Sequence, residues 1–140
     1  MKTSIRSGRS DDQGKLVLRV TLGLLILFHG AAKVMHGVGG IESMLARHDL
    51  PSVLAYFVYV GEVLAPLMLL IGLMTRLAAL TVAVNMVVAI LLAHSAQLLS
   101  LSNTGGWALE LQGMFLGASI TVSLIGAGRY SLGGVGGRYN

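Results

Sequence analysis

The sequence has no cysteine, which excludes disulfides, thiolate-held metals and thiol redox chemistry while leaving the compartment open. Charge is also scarce. Asp, Glu, Lys and Arg make up 11% of the 140 residues, against about 25% in an ordinary soluble domain. Too few charged side chains are available to cover the water-facing surface of a body this small. No nucleophile elbow, phosphate loop or two-metal carboxylate array is present, so hydrolase and kinase chemistry finds no support. No basic stripe interleaved with aromatics occurs either, and the net charge of +4 gives no warrant for a nucleic-acid partner. What is abundant is apolar: 54% of residues belong to the AVILMFWYC set and 19 more are glycine. The chain reads as embedded in a membrane, with lipids as its first partners.

Windows of about 19 residues pick out four apolar stretches, near 16–35, 51–72, 77–94 and 107–127. About 20 helical residues cover a hydrocarbon layer of roughly 30 Å. The expected fold is therefore all-α, a polytopic four-transmembrane-helix bundle over 16–127, with an N-terminal segment (1–15) and a Gly-rich tail (128–140) outside it. Basic residues ahead of Leu22 and the Gly30-Ala31-Ala32 that follows suggest a signal peptide. Lys33 directly afterwards and three further spans favour a retained helix. In the first connecting loop, Ile41 to His48 could form a short amphipathic helix at the interface, and Pro51 suits the opening of span two.

Orientation follows from Lys and Arg. In a four-span topology Lys2, Arg6, Arg9, Lys15, Arg19, Arg76, Arg129 and Arg138 fall on one side, and Lys33 and Arg47 on the other. The positive-inside rule then places both termini in the cytoplasm, at the bacterial inner membrane. Arg19 is expected to meet inner-leaflet phosphates.

Polar groups at membrane depth carry any chemistry. At 1.5 Å per residue, Glu62 and Asn85 lie near the midplane, His29 somewhat above, and Lys33, His94, Glu110 and Gln112 nearer the outer surface. Glu62 is the most informative. A carboxylate there must face the bundle interior and find a cation or donor. Pro66 cannot bond to the carbonyl of Glu62, so a freed backbone acceptor shares its turn. Glu62 either handles a ligand or proton, or ties spans together through His29, Asn85 or Lys33. His29 and Lys33 share a helix face; Lys33 either snorkels to the headgroups or neutralises Glu62 or Glu110. Asn85 suits an interhelical hydrogen bond. His94, Glu110 and Gln112 suit a headgroup site or a loop clamp. No ligand spacing supports haem or a metal, and no metal site is expected. Gly113 and Gly117 form a small-xxx-small pair, with Gly23, Gly30, Gly61 and Gly72 as further close-approach points; a compact bundle and a homodimer both fit.

Several segments together resemble the DoxX family of small four-helix bacterial membrane proteins. They are Arg19-Val20-Thr21-Leu22-Gly23, Leu27-Phe28-His29-Gly30-Ala31-Ala32-Lys33, Val60-Gly61-Glu62-Val63-Leu64-Ala65-Pro66, Leu70 to Arg76, Asn85-Met86, His94, Glu110-Leu111-Gln112-Gly113 and Gly126 to Leu132. The likeness covers about Leu16 to Leu132. It implies an integral membrane protein connected with quinone-linked oxidoreduction. Quinone is the implied cofactor, and a peripheral redox protein the implied partner. Glu62, His29 and Lys33 are then the expected proton-handling and charge-stabilising groups, with His94, Glu110, Gln112 and Asn85 around the ligand. Two other readings stay open: a carrier or binding module for a small lipophilic metabolite, and a structural or assembly protein.

Overall fold

The computed structural model describes residues 2–140, and side chains from Gly8 onward; Lys2 and Arg6, counted in the charge asymmetry, have side chains outside that range. The fold is all-helical. Helices α1 (Lys2–His36), α2 (Gly39–Ala46), α3 (Ala65–Ile71), α4 (Thr75–Ala93) and α5 (Glu110–Ile125) are joined by short 3₁₀ and π-helical pieces. Among the described residues three helical stretches are long and apolar enough to cross a membrane: Gly8–His36, Ser52–Ile71 and Thr75–Ala93. The apolar helix α5 is shorter. Its 16 residues rise about 24 Å, because Trp107 is held outside the helix by a bridge to Leu101.

Chain neighbours run antiparallel. Gly23 of α1 faces Pro66 and Gly30 faces Glu62; Asn85 of α4 lies against Gly61; Arg76 reaches the last carbonyls of α5. The seam is filled by Leu22, Ile26, Leu69, Val82, Met86 and Val122. A smaller cluster of Val38, Leu45, Ala55 and Val58 fastens α2 to the 3₁₀ piece Ser52–Phe57. A short helix is thus present where Ile41–His48 was expected to form one, as α2, shifted two residues toward the N-terminus.

The second apolar stretch is not one α-helix. It opens as a 3₁₀ helix after Pro51, passes through a π-helical turn at Val60–Leu64 and ends as α3. The cause is Pro66, whose missing N–H leaves Glu62 without its helical donor. The backbone widens by one residue there, and the Ala65 N–H bonds to the carbonyl of Val60.

The N-terminal half of α1, the turn after α3 and the C-terminal tail meet at one end, and arginines close it. Arg19 is not at a lipid headgroup. It is fully buried and donates to the carbonyls of Leu69, of Leu70 (3.1 Å) and of Tyr130 (2.7 Å). The remaining carbonyls at the end of α3 are also met. Gly72 (φ +71°) turns the chain so that the Gly72 and Leu73 amides bond to Met68. The Leu132 and Gly133 amides bond to Ile71 and Gly72. A helix end whose carbonyls find no water needs such partners. Arg76 does the same for α5, donating to Ser123 (2.9 Å) and Leu124 (2.7 Å). The glycine-rich tail is irregular, as expected, yet it is packed: Asn140 accepts from the Thr75 hydroxyl (2.8 Å) and donates to Gly134 (2.8 Å), and the Arg129 amide bonds to Asp12 (3.0 Å).

Candidate functional site

The π-helical turn sets the position of Glu62. It presents the carboxylate to the space between α1 and α4, where the residue is only 5% exposed. Lys33, near the end of α1, forms an ion pair with Oε2. The Asn85 Nδ2 donates to Oε1 at 3.2 Å. Glu62 therefore joins three segments, and its charge is met by one cation and one amide. Two glycines make this possible. A Cβ on Gly30 would overlap the Glu62 carbonyl, so α1 touches the widened backbone at a residue without a side chain. A Cβ on Gly61 would lie 2.6 to 2.8 Å from the Asn85 side-chain atoms, too close to coexist with that amide. Tyr59 completes the corner by donating its hydroxyl to the Lys33 carbonyl (3.2 Å).

This polar corner forms part of the wall of a cavity of about 590 Å³, within the size range of small-molecule sites. Lys33, Glu62, Asn85 and His94 are on its lining. The rest is almost entirely apolar: Ala55 and Val58 from the second segment, Ala89 and Leu92 from α4, Met44 and Leu45 from α2. His94 follows the last residue of α4, and its ring is held by Gln97 (3.1 Å) and Gln112 (3.4 Å).

The structure thus brings together Lys33, Glu62, Asn85 and His94, with Gln112 behind His94. His29 and Glu110 are outside the cavity lining. The His29 ring meets Phe115 edge-on, with centroids 5.9 Å apart. One turn separates it from Lys33, yet Lys33 meets Glu62 while His29 meets Phe115 of α5; Gly30, three residues before Lys33, is the residue of α1 that lies against the Glu62 backbone. Glu110 is exposed at the start of α5, beside Gly106. Tyr59 and the α2 residues Met44 and Leu45 were not singled out from the sequence. The amphipathic pattern of the loop was the available signal for the latter pair.

The family model named DoxX matches residues 14–95, more than half of the chain and the stretch that holds Lys33, Glu62, Asn85 and His94. The chain belongs to the DoxX family. This DoxX protein is also 30% identical over 83 residues to a Bacillus subtilis (strain 168) protein named "Putative oxidoreductase CatD". That match covers 59% of the present chain and 61% of the relative, so the chain spans under two thirds of the relative's length. No solved structure matches. The family and the apolar helices together make this a membrane protein. The match ends before α5, so Glu110 and Gln112 lie beyond its span.

Proposed function

We propose that this DoxX protein is a quinone-associated redox subunit of the bacterial inner membrane, working with a peripheral oxidoreductase. In this reading α1, the Ser52–Ile71 stretch, α4 and α5 cross the bilayer as four spans. Both termini are cytoplasmic, because the charge asymmetry puts eight basic residues at the tail end against two at the other. The cavity then sits in the outer half.

The observation that carries the reading is an apolar cavity with a compact polar corner built from a cation, a carboxylate and an amide. A ring of modest size with carbonyl oxygens fits that donor set. Lys33 has N–H donors beyond the one used by Glu62 and can hold a ring oxygen and stabilise negative charge developing there. Asn85 can orient the same oxygen. Glu62, released from one of its partners, can take or give a proton at that oxygen, and His94 offers a second polar contact nearer the surface. A quinone supplies two-electron, two-proton chemistry when bound, and the electrons come from the partner protein. The likeness to a protein named as an oxidoreductase supports the same direction.

Two alternatives draw on the same atoms. A non-catalytic carrier or binding module for a small lipophilic metabolite takes support from the irregular turn at Glu62, since interrupted helices often line membrane binding sites. A structural or assembly role takes support from the ion pair itself. Reconstituted protein separates the three. The redox reading expects quinone retained by the protein, quinone-dependent electron transfer with an isolated partner, and loss of both in Glu62→Gln. Retention without electron transfer under any partner supports the carrier, and neither activity supports the structural role.

A further inference from the structure

The cavity is closed on some sides and open on others. Its floor is buried: Ala55, Val58, Gly61 and Glu62 are all shielded. At one end it is roofed by α2, whose Leu45 is buried against the second segment. Six other lining residues are exposed although all are large and apolar, Leu50 (38%) and Leu54 (41%) toward the α2 end and four along the cleft. Phe57 (65%) and Val60 (41%) stand on one wall, and Val84 (55%) and Val88 (46%) on the other. On each wall the pair is spaced three or four residues apart, so both members share a face. They form the two lips of a cleft between the second segment and α4, and the lips belong to apolar stretches that meet hydrocarbon in the proposed arrangement. The cavity therefore opens sideways into lipid.

We propose that this cleft is a lateral portal for a long-chain membrane quinone, whose ring rests on Lys33, Glu62 and Asn85 while its hydrocarbon tail leaves between Phe57–Val60 and Val84–Val88. The inference rests on the quinone reading and narrows its substrate class from quinones in general to those dissolved in the bilayer. The charge balance of the corner selects the head. Lys33 and Glu62 cancel, and among the described residues no further Lys or Arg lines the cavity, so an uncharged ring is accommodated where a phospholipid phosphate would lack a counter-charge. The apolar lips let the tail stay in hydrocarbon, so that the ring can enter without drawing the chain through a polar surface.

The test uses the full chain in nanodiscs with two probes at equal bilayer mole fraction: a benzoquinone bearing a ten-carbon chain, and the same ring with a methyl group in its place. Val84→Trp and Val88→Trp fill the lips; Val87→Trp, on an exposed neighbouring position outside the cavity, controls for the bulk of the substitution. Bulk placed where the tail leaves is expected to lower occupancy by the chained quinone about tenfold in the two lip variants. The methyl quinone should stay within about twofold, since only a tail needs the exit. A photoreactive group on the ring-proximal part of the long quinone's chain, used on the unaltered protein, should label Phe57, Val60, Val84 or Val88. Equal loss of both quinones, no loss of either, or label placed elsewhere overturns the portal while leaving ring binding in place. Failure of the unaltered protein to hold either quinone, or recovery of phospholipid alone from the cleft, overturns the quinone reading and the portal with it.

Discussion

The backbone of Glu62 lies directly against Gly30, at a spot where α1 has no room for even a methyl group. That contact joins the two irregularities of the site, the turn widened by Pro66 and the helix that carries Lys33. Because the obstructing atoms are backbone, they cannot step aside as a flexible side chain would. Gly30→Ala is therefore expected to push α1 away and destabilise the protein by about 1–3 kcal/mol, although alanine favours helix. Thermal unfolding in detergent checks this, with Gly117→Ala, which meets nothing, as the near-neutral comparison.

The Lys33–Glu62 pair is a second point of leverage. Removing Lys33 leaves a carboxylate only 7% exposed without its cation, which costs about 3–5 kcal/mol in buried pairs; Lys33 is 26% exposed, so removing Glu62 costs less. Lys33→Met and Glu62→Leu are each expected to lose stability, and the double variant to recover much of it. A double-mutant cycle measures the coupling directly. Recovery of stability without recovery of quinone binding would separate the packing contribution of the pair from its proposed role at the ligand.

Asn85 offers a gentler perturbation. It gives one hydrogen bond to Glu62 and sits over Gly61. Asn85→Leu is expected to cost about 1–3 kcal/mol through the unmet carboxylate oxygen. Gly61→Ala should have a related effect by displacing the amide. If the corner holds a ligand, both changes also weaken quinone retention, measured on protein reconstituted at equal quinone content.

At the opposite end, Arg19 closes α3 and pins the tail through Tyr130. A lysine has one point of donation where the guanidinium has a fork. Arg19→Lys is therefore expected to lose about 1–3 kcal/mol and to speed amide exchange at Leu132 and Gly133, whose N–H groups bond to the end of α3. A side chain merely touching headgroups would tolerate the exchange and leave those amides protected.

The long apolar stretches were legible because hydrophobic length alone specifies them. The α4 helix runs from Thr75 to Ala93 where the pattern places 77–94. The disturbance at Glu62 was legible from Pro66, since proline chemistry is local. The outcome, a π-helical turn, depended on how the chain could satisfy its backbone. Whether His29 or Lys33 would meet Glu62 could not be read from their shared face, because that is decided by which residue of α1 touches the second segment. Gly30 decides it. Arg19 was misread for a similar reason: a basic residue near a membrane edge points to lipid until a helix end some 50 positions later is known to lie beside it. The tail's glycines announced irregular backbone, but not that its amides complete α3.

The central claim is that the corner formed by Lys33, Glu62 and Asn85 holds a quinone ring. The most direct measurement is mass spectrometry of the protein released from nanodiscs of defined quinone content, comparing the unaltered chain with Asn85→Leu and Glu62→Gln. We expect one quinone per chain on the unaltered protein and marked loss of it in both variants, with the folded protein still recovered. Quinone absent from the unaltered protein, or held equally by all three, would contradict the account.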